Sequence, residues 1–293
     1  MPDLEPTRSA GPQMVGRVVV YSLLILFALY YLLPLFVMAT TSVKTLEEIR
    51  AGNLVALPTQ ITLEAWGKAW SSACTGVDCS GLKGNFMNSV SFVVPAVIIS
   101  TLIGAFNGYV LTMWRFRGSD LIFALLLLGC FIPFQVILLP MAQTLGYLGI
   151  AQSTLGLIFV HVVYGLAFTT LFFRNFYVTV PSDLTKAARI DGAGFFTIFW
   201  RIILPLSPPI IVVCVIWQFT QIWNDFLFGV VFSAGGSQPI TVALNNLVQT
   251  STGVKEYNVD MAAAIIAGLP TLFVYIVAGK YFLRGLTAGA VKG

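Results

Sequence analysis

Charge is scarce in this sequence. Lys and Arg number 16 and Asp and Glu 12 among 293 residues, about 10%, against roughly 25% in soluble domains. A shortage of that size excludes an ordinary water-soluble surface. Histidine occurs once, at His161, and cysteine four times, and they form no metal-ligand pattern. No G-x-x-x-x-G-K-[ST] phosphate loop occurs, which excludes ATP binding by that route. Asp225 is the one acid deep in an apolar stretch, so the paired Asp of an intramembrane protease is missing, and the serines near His161 read as loop residues. No stretch reads as the appended soluble domain that a receptor would use.

What is present is apolar sequence: 57% of residues, with a mean hydropathy of +0.88. It comes in blocks, and about 20 apolar residues suffice to span the hydrocarbon core as a helix. Six blocks meet this length, over 18–40, 86–112, 120–142, 154–178, 203–232 and 260–283. The chain thus reads as an all-α polytopic membrane protein with six transmembrane helices. The run that opens at Val18 is too long for a signal-peptide core and no small-residue cleavage site closes it, so it is expected to be retained. Pro34, Pro95, Pro133, Pro205, Pro208, Pro209 and Pro270 fall within these blocks and predict kinked spans.

Basic residues in short loops set orientation. With the N-terminus in the cytoplasm, eleven Lys and Arg lie inside and five outside, so both termini are expected to be cytoplasmic. This divides the chain into a cytoplasmic segment 1–17, a membrane domain 18–283 and a cytoplasmic tail 284–293. Within the membrane domain, an outer loop covers about 41–85 and a cytoplasmic connection about 179–202. Cys74 and Cys79 sit in the outer loop with four residues between them. A disulfide can close there on the outer face, and two free thiols are the alternative. Cys130 and Cys214 lie within spans and read as packing residues.

A few polar side chains interrupt the spans. Gln218, Gln221 and Asp225 stand at i, i+3 and i+7, one helical face, with Asn224 beside them. Gln135 lies between Pro133 and Pro140, and Asn107 near the inner end of the second span. These are candidates for a substrate pathway, or for hydrogen bonds between helices, each worth about 0.6–2 kcal/mol in membranes. His161 is either a proton relay or a neutral residue bonded across a helix interface.

The cytoplasmic connection breaks the apolar pattern with "KAARIDGAGFF" at 186–196. Ser182 is expected to cap a short helix, with Asp183 favouring its positive end. Leu184, Ala187 and Ala188 are expected to form one small apolar face. Asp191-Gly192 is a turn signal, and "GFFTIFWRII" a second helical stretch.

The whole segment "PSDLTKAARIDGAGFFTIFWRIILPLSPP" resembles the coupling loop of permease subunits of bacterial ABC importers. Ala187 and Ala188 match that pattern's Ala pair, Gly192 its glycine, and Ile202 and Leu204-Pro205 its ending, while Lys186 stands where the family usually has Glu. "QFTQIWNDFLF", "NVDMAAAIIAGLPTLFVYI" and the tail "YFLRGLTAGAVKG" are similar to sugar-importer permeases, glucose/mannose-type ones among them. The resemblance implies a type I ABC importer permease fold in a bacterial inner membrane, working beside a second permease, two ATP-binding subunits and a periplasmic sugar-binding protein. It implies no catalytic residue, metal or cofactor in this chain, with ATP and Mg held by partner subunits, and no nucleic acid. ATPase coupling would fall to Asp183, Lys186, Ala187, Ala188, Asp191 and Gly192, and tail contacts to Gly285, Gly289 and Lys292. A stand-alone proton- or sodium-coupled transporter is the alternative, with His161 and Asp225 as its only coupling groups.

Overall fold

The computed structural model describes the backbone of residues 10–290, apart from Leu54, Val77, Arg115 and residues 251–253, and the side chains of residues 14–279. Every regular element among them is helical. In chain order these are α1 (Ala10–Ser42), α2 (Leu46–Arg50), α3 (Glu64–Ser71), α4 (Lys83–Met113), α5 (Ser119–Phe131), α6 (Phe134–Tyr147) and α7 (Thr154–Tyr177). There follow α8 (Ser182–Ile190), α9 (Phe195–Ile198), α10 (Pro208–Trp223), α11 (Leu227–Phe232), α12 (Ile240–Gln249) and α13 (Tyr257–Ala290). Among the described residues four helices are long and apolar enough to cross a membrane, or up to six if each of two bent pairs is one span.

The bent pairs fall where prolines predicted kinks, within 120–142 and 203–232, although the second stretch does not run through to 232 as one helix. The first breaks at Ile132-Pro133, where α5 and α6 meet at 106°. Proline excludes its predecessor from the helical region, and Ile132 sits extended at ψ 121°. In the second, α9 runs on through one π-helical turn, Phe199–Ile203. It meets α10 at 85°, with Pro208 and Pro209 opening the new helix. That helix stops at Trp223, and α11 is separate.

The chain divides into two compact units. One holds the chain up to Ala69 and a stretch ending at Ile265; the other begins at Trp70 and resumes at Ile266. In the first, Thr45 caps α2 through the Glu48 amide at 3.3 Å. Lys44 is buried and donates to the Asn53 carbonyl at 3.2 Å, while its own carbonyl accepts from Asn258 at 3.1 Å. Lys68 pairs with Glu256, and Lys255 with Asp260 at 3.0 Å. These bonds fasten Lys44 and Lys68 to the start of α13.

The second unit is organised on α4 and α7. A Cβ at Gly104 would stand 2.4 Å from Thr169 Oγ1, and one at Gly108 2.7 Å from Phe173 Cβ. Hydrophobicity gives apolar helices no reason to associate within lipid, so close packing over small residues supplies the attraction. Gln218 crosses to α4 and donates to Ser100 Oγ at 2.6 Å, and Trp223 Nε1 donates to the Ala267 carbonyl at 2.9 Å.

Candidate functional site

The segment that interrupted the apolar pattern forms a short helix, a turn and a second helix. The helix begins one residue earlier than expected: Pro181 holds the cap position, and Ser182 makes no side-chain cap. Proline cannot donate there and has φ preset. At the other end Gly192 has φ +81°. The Ala193 amide reaches the Ala188 carbonyl at 2.9 Å, and the Gly192 amide the Arg189 carbonyl at 3.1 Å. This is the left-handed glycine cap that satisfies the last carbonyls of a helix.

The two alanines part company, which corrects the single face expected of Leu184, Ala187 and Ala188. Ala188 and Thr185 are buried, while Leu184, Ala187 and Ile190 are exposed, Ile190 at 86%. The exposed residues stand three apart and form an apolar stripe turned away from the chain. Lys186 pairs with Asp183 at 3.0 Å, both well exposed, so the pair contributes only about 0.3–0.5 kcal/mol. Asp191 is exposed beside Gly192, and a Cβ at Gly192 would meet nothing within 4 Å.

Aromatic residues bind this element to the C-terminal end of α4. Tyr109 is fully buried and donates to the Phe195 carbonyl at 3.0 Å, while Trp114 Nε1 donates to the Tyr109 hydroxyl at 2.9 Å. Phe106 packs edge-on against Phe195 at 5.8 Å and Phe199 at 5.4 Å. Such pairs add about 0.5–1.5 kcal/mol each beyond burial. Arg189 lies over the Trp114 ring at 4.8 Å and reaches the Met113 carbonyl at 3.4 Å. Tyr177, at the end of α7, shares a 2.9 Å bond with Ser207. Phe106, Tyr109 and Trp114 were not singled out in the sequence. Phe106, Tyr109 and Met113 follow i, i+3, i+7, and that periodicity was the available signal.

The pathway candidates separate. A cavity of about 470 Å³ opens between α6, α7, α10 and α11. Gln218, Gln221, Asn224 and Asp225 line it, with Tyr164 and Trp217 among its aromatic residues. Gln218 is buried against Ser100. Asn224 donates to the Thr220 carbonyl at 2.9 Å. Asp225 Oδ2 accepts from the Gly229 amide at 3.2 Å and stands 3.9 Å from His161 Nε2. Gln135 is exposed on α6 and is not part of the lining. His161 is stacked on Phe92 at 5.6 Å. Asn107 bonds Thr170 at 3.3 Å.

Cys74 and Cys79 are joined as a disulfide. Cys214 is buried and Cys130 partly so. Gly285 and Gly289 continue the backbone of α13, while Lys292 lies outside the described residues.

Residues 100–286 match the profile of the family described as "binding-protein-dependent transport system inner membrane component". A probable ABC transporter permease protein of Pyrococcus horikoshii is 40% identical over 94% of this chain and 98% of its own. The xylose/arabinose import permease protein of Haloferax volcanii is 31% identical over 94% of this chain and 93% of its own. The fold matches a chain from the crystal structure of a bacterial ABC transporter involved in the import of the acidic polysaccharide alginate. That match has a TM-score of 0.79 at 23% identity, covering 95% of this chain and all of the other.

Proposed function

Because the chain belongs to the binding-protein-dependent inner membrane component family, itself a permease component and not an enzyme, we propose that it is one permease of an ATP-driven sugar importer. The cargo class is a monosaccharide of the glucose/mannose type. The relative named for xylose and arabinose supports a monosaccharide, and the resemblance of 218–228 and 258–276 to glucose/mannose permeases supports the finer class. A second permease completes the pathway, two ATPase subunits hold ATP and Mg, and a periplasmic binding protein delivers the sugar. The termini and α8 face the cytoplasm, as the excess of basic residues there favours.

One observation carries this reading. Helix α8 presents Leu184, Ala187 and Ile190 outward, while Ala188 joins the buried cluster of Tyr109 and Phe199 and Arg189 lies over Trp114 and reaches the Met113 carbonyl at the end of α4. An element so exposed on one face and so fixed on the other suits transmission of a partner's movement to the spans as a rigid body. An ion-coupled carrier working alone has less support, since His161 and Asp225 are both engaged in packing and hydrogen bonds.

The test is co-expression with a candidate second permease, ATPase and binding protein, followed by uptake into proteoliposomes. The wild-type complex imports sugar only with ATP inside and binding protein outside. Leu184→Asp inserts normally but co-purifies with little ATPase. Full ATPase retention and full uptake by Leu184→Asp would remove α8 from the coupling route.

A further inference from the structure

The cavity beside α10 contains a side chain that the fold itself does not use. Gln221 is exposed on the wall of the 470 Å³ space, and among the described residues no hydrogen bond engages it. Its neighbours differ. Gln218 is spent on Ser100, Asn224 on the Thr220 carbonyl, and Asp225 on the amide that starts α11. An amide on an apolar span needs a partner, because hydrocarbon offers none. Polar groups on spans accordingly face the bundle interior or a water-filled cavity.

Much of the remaining wall is aromatic. Trp217 packs on Phe168 with ring centres 4.5 Å apart and against Phe172 at 5.7 Å, which holds the indole in place. Tyr164 stands edge-on to Phe228 at 5.5 Å. Rigid ring faces beside a few convergent polar groups are what a sugar requires, since its ring has apolar C–H faces and a rim of hydroxyls. The volume falls within the roughly 300–1,000 Å³ of small-molecule clefts. A lipid tail would leave Gln221 unmatched, and an inorganic ion would have no use for the aromatic wall.

We infer that this cavity is a carbohydrate subsite carried by this subunit, in which Gln221 hydrogen-bonds sugar hydroxyls and Trp217 packs against the sugar ring. The inference rests on the reading that the cargo is sugar. It adds that this chain contacts the sugar directly, so that this cavity contributes to selectivity.

The experiment uses the full complex in proteoliposomes, at equal amounts of assembled complex, with glucose, mannose and xylose as probes. Sugar imported per ATP hydrolysed is measured for wild type, Gln221→Leu, Gln221→Asn and Trp217→Leu. Loss of one hydrogen bond lowers that ratio about 2- to 10-fold for Gln221→Leu. Gln221→Asn recovers part of it, and both Leu variants flatten the preference among the three sugars. Wild-type ratios and preferences in both Leu variants would overturn the subsite. Loss of the second permease on purification of Gln221→Leu would also overturn it, by making Gln221 a subunit contact. If wild type imports none of the three sugars, the cargo assignment itself falls and the subsite falls with it.

Discussion

Two glycines two residues apart make opposite predictions. Gly192 has φ +81°, and Gly194 has φ −77° and ψ 172°. Neither position is crowded, because a Cβ at either would meet nothing within 4 Å. The cost of Gly192→Ala is therefore conformational alone, about 1–2 kcal/mol for placing an L-residue in the left-handed region. That reduces the population of the formed turn about 5- to 30-fold relative to its alternatives. Asparagine tolerates this region, so Gly192→Asn costs less, whereas β-branched Gly192→Val costs most. Gly194→Ala costs nothing in φ and removes some unfolded-state freedom, a gain of about 0.4–1 kcal/mol. The assay is sugar uptake against ATP hydrolysis in the reconstituted complex, with insertion checked by protease protection. Coupling is expected to fall in the order Gly, Asn, Ala, Val at 192 and to be retained in Gly194→Ala. Equal behaviour of Gly192→Ala and Gly194→Ala would refute the argument from φ.

Gly108→Val forces a side chain into Phe173 and is expected to destabilise the chain by about 2–3 kcal/mol. Gly146→Ala, with nothing within 4 Å, is neutral or better, and thermal unfolding in detergent separates the two. Tyr109→Phe removes the donor to the Phe195 carbonyl and costs about 1 kcal/mol. It is expected to lower uptake per ATP with little effect on insertion, and unchanged coupling would dismiss the tether. Cys74 and Cys79 are expected to resist a thiol reagent until reductant is added. Opening so short a loop costs about 2 kcal/mol, read as lower thermal stability of the double Ser variant.

The helical architecture could be read from the sequence because a block of apolar residues long enough to span leaves few alternatives. The breaks were harder. Pro95 and Pro133 both lie within apolar blocks, yet α4 runs through Pro95 while Pro133 starts a new helix. Local sequence does not distinguish them, because neighbouring helices decide whether a freed carbonyl is tolerated. In the connecting segment the turn at Asp191-Gly192 was readable, and the structure gives Gly192 the positive φ that glycine adopts cheaply. The division of Ala187 from Ala188 was not, because both are small and apolar. Which one turns inward depends on where Tyr109 and Phe199 stand. The polar residues of α10 and the residues just after it were legible as a set, but their different commitments depended on Ser100 and Gly229, which are remote or unremarkable in sequence.

The close seam of α4 and α7 also has a kinematic consequence. With the Gly104 and Gly108 backbones seated against Thr169 and Phe173, neither helix can slide past the other without a collision of backbone or Cβ atoms. Displacement delivered at Phe195 therefore reaches this pair as a whole, like a load applied to a welded beam. Bending costs fewest helical hydrogen bonds where the two bent pairs already interrupt the ladder, at Ile132-Pro133 and between Ile203 and Pro208. Residues at those two joints set how far the structure swings for a given push, and the glycines of the seam set how little of that push is lost.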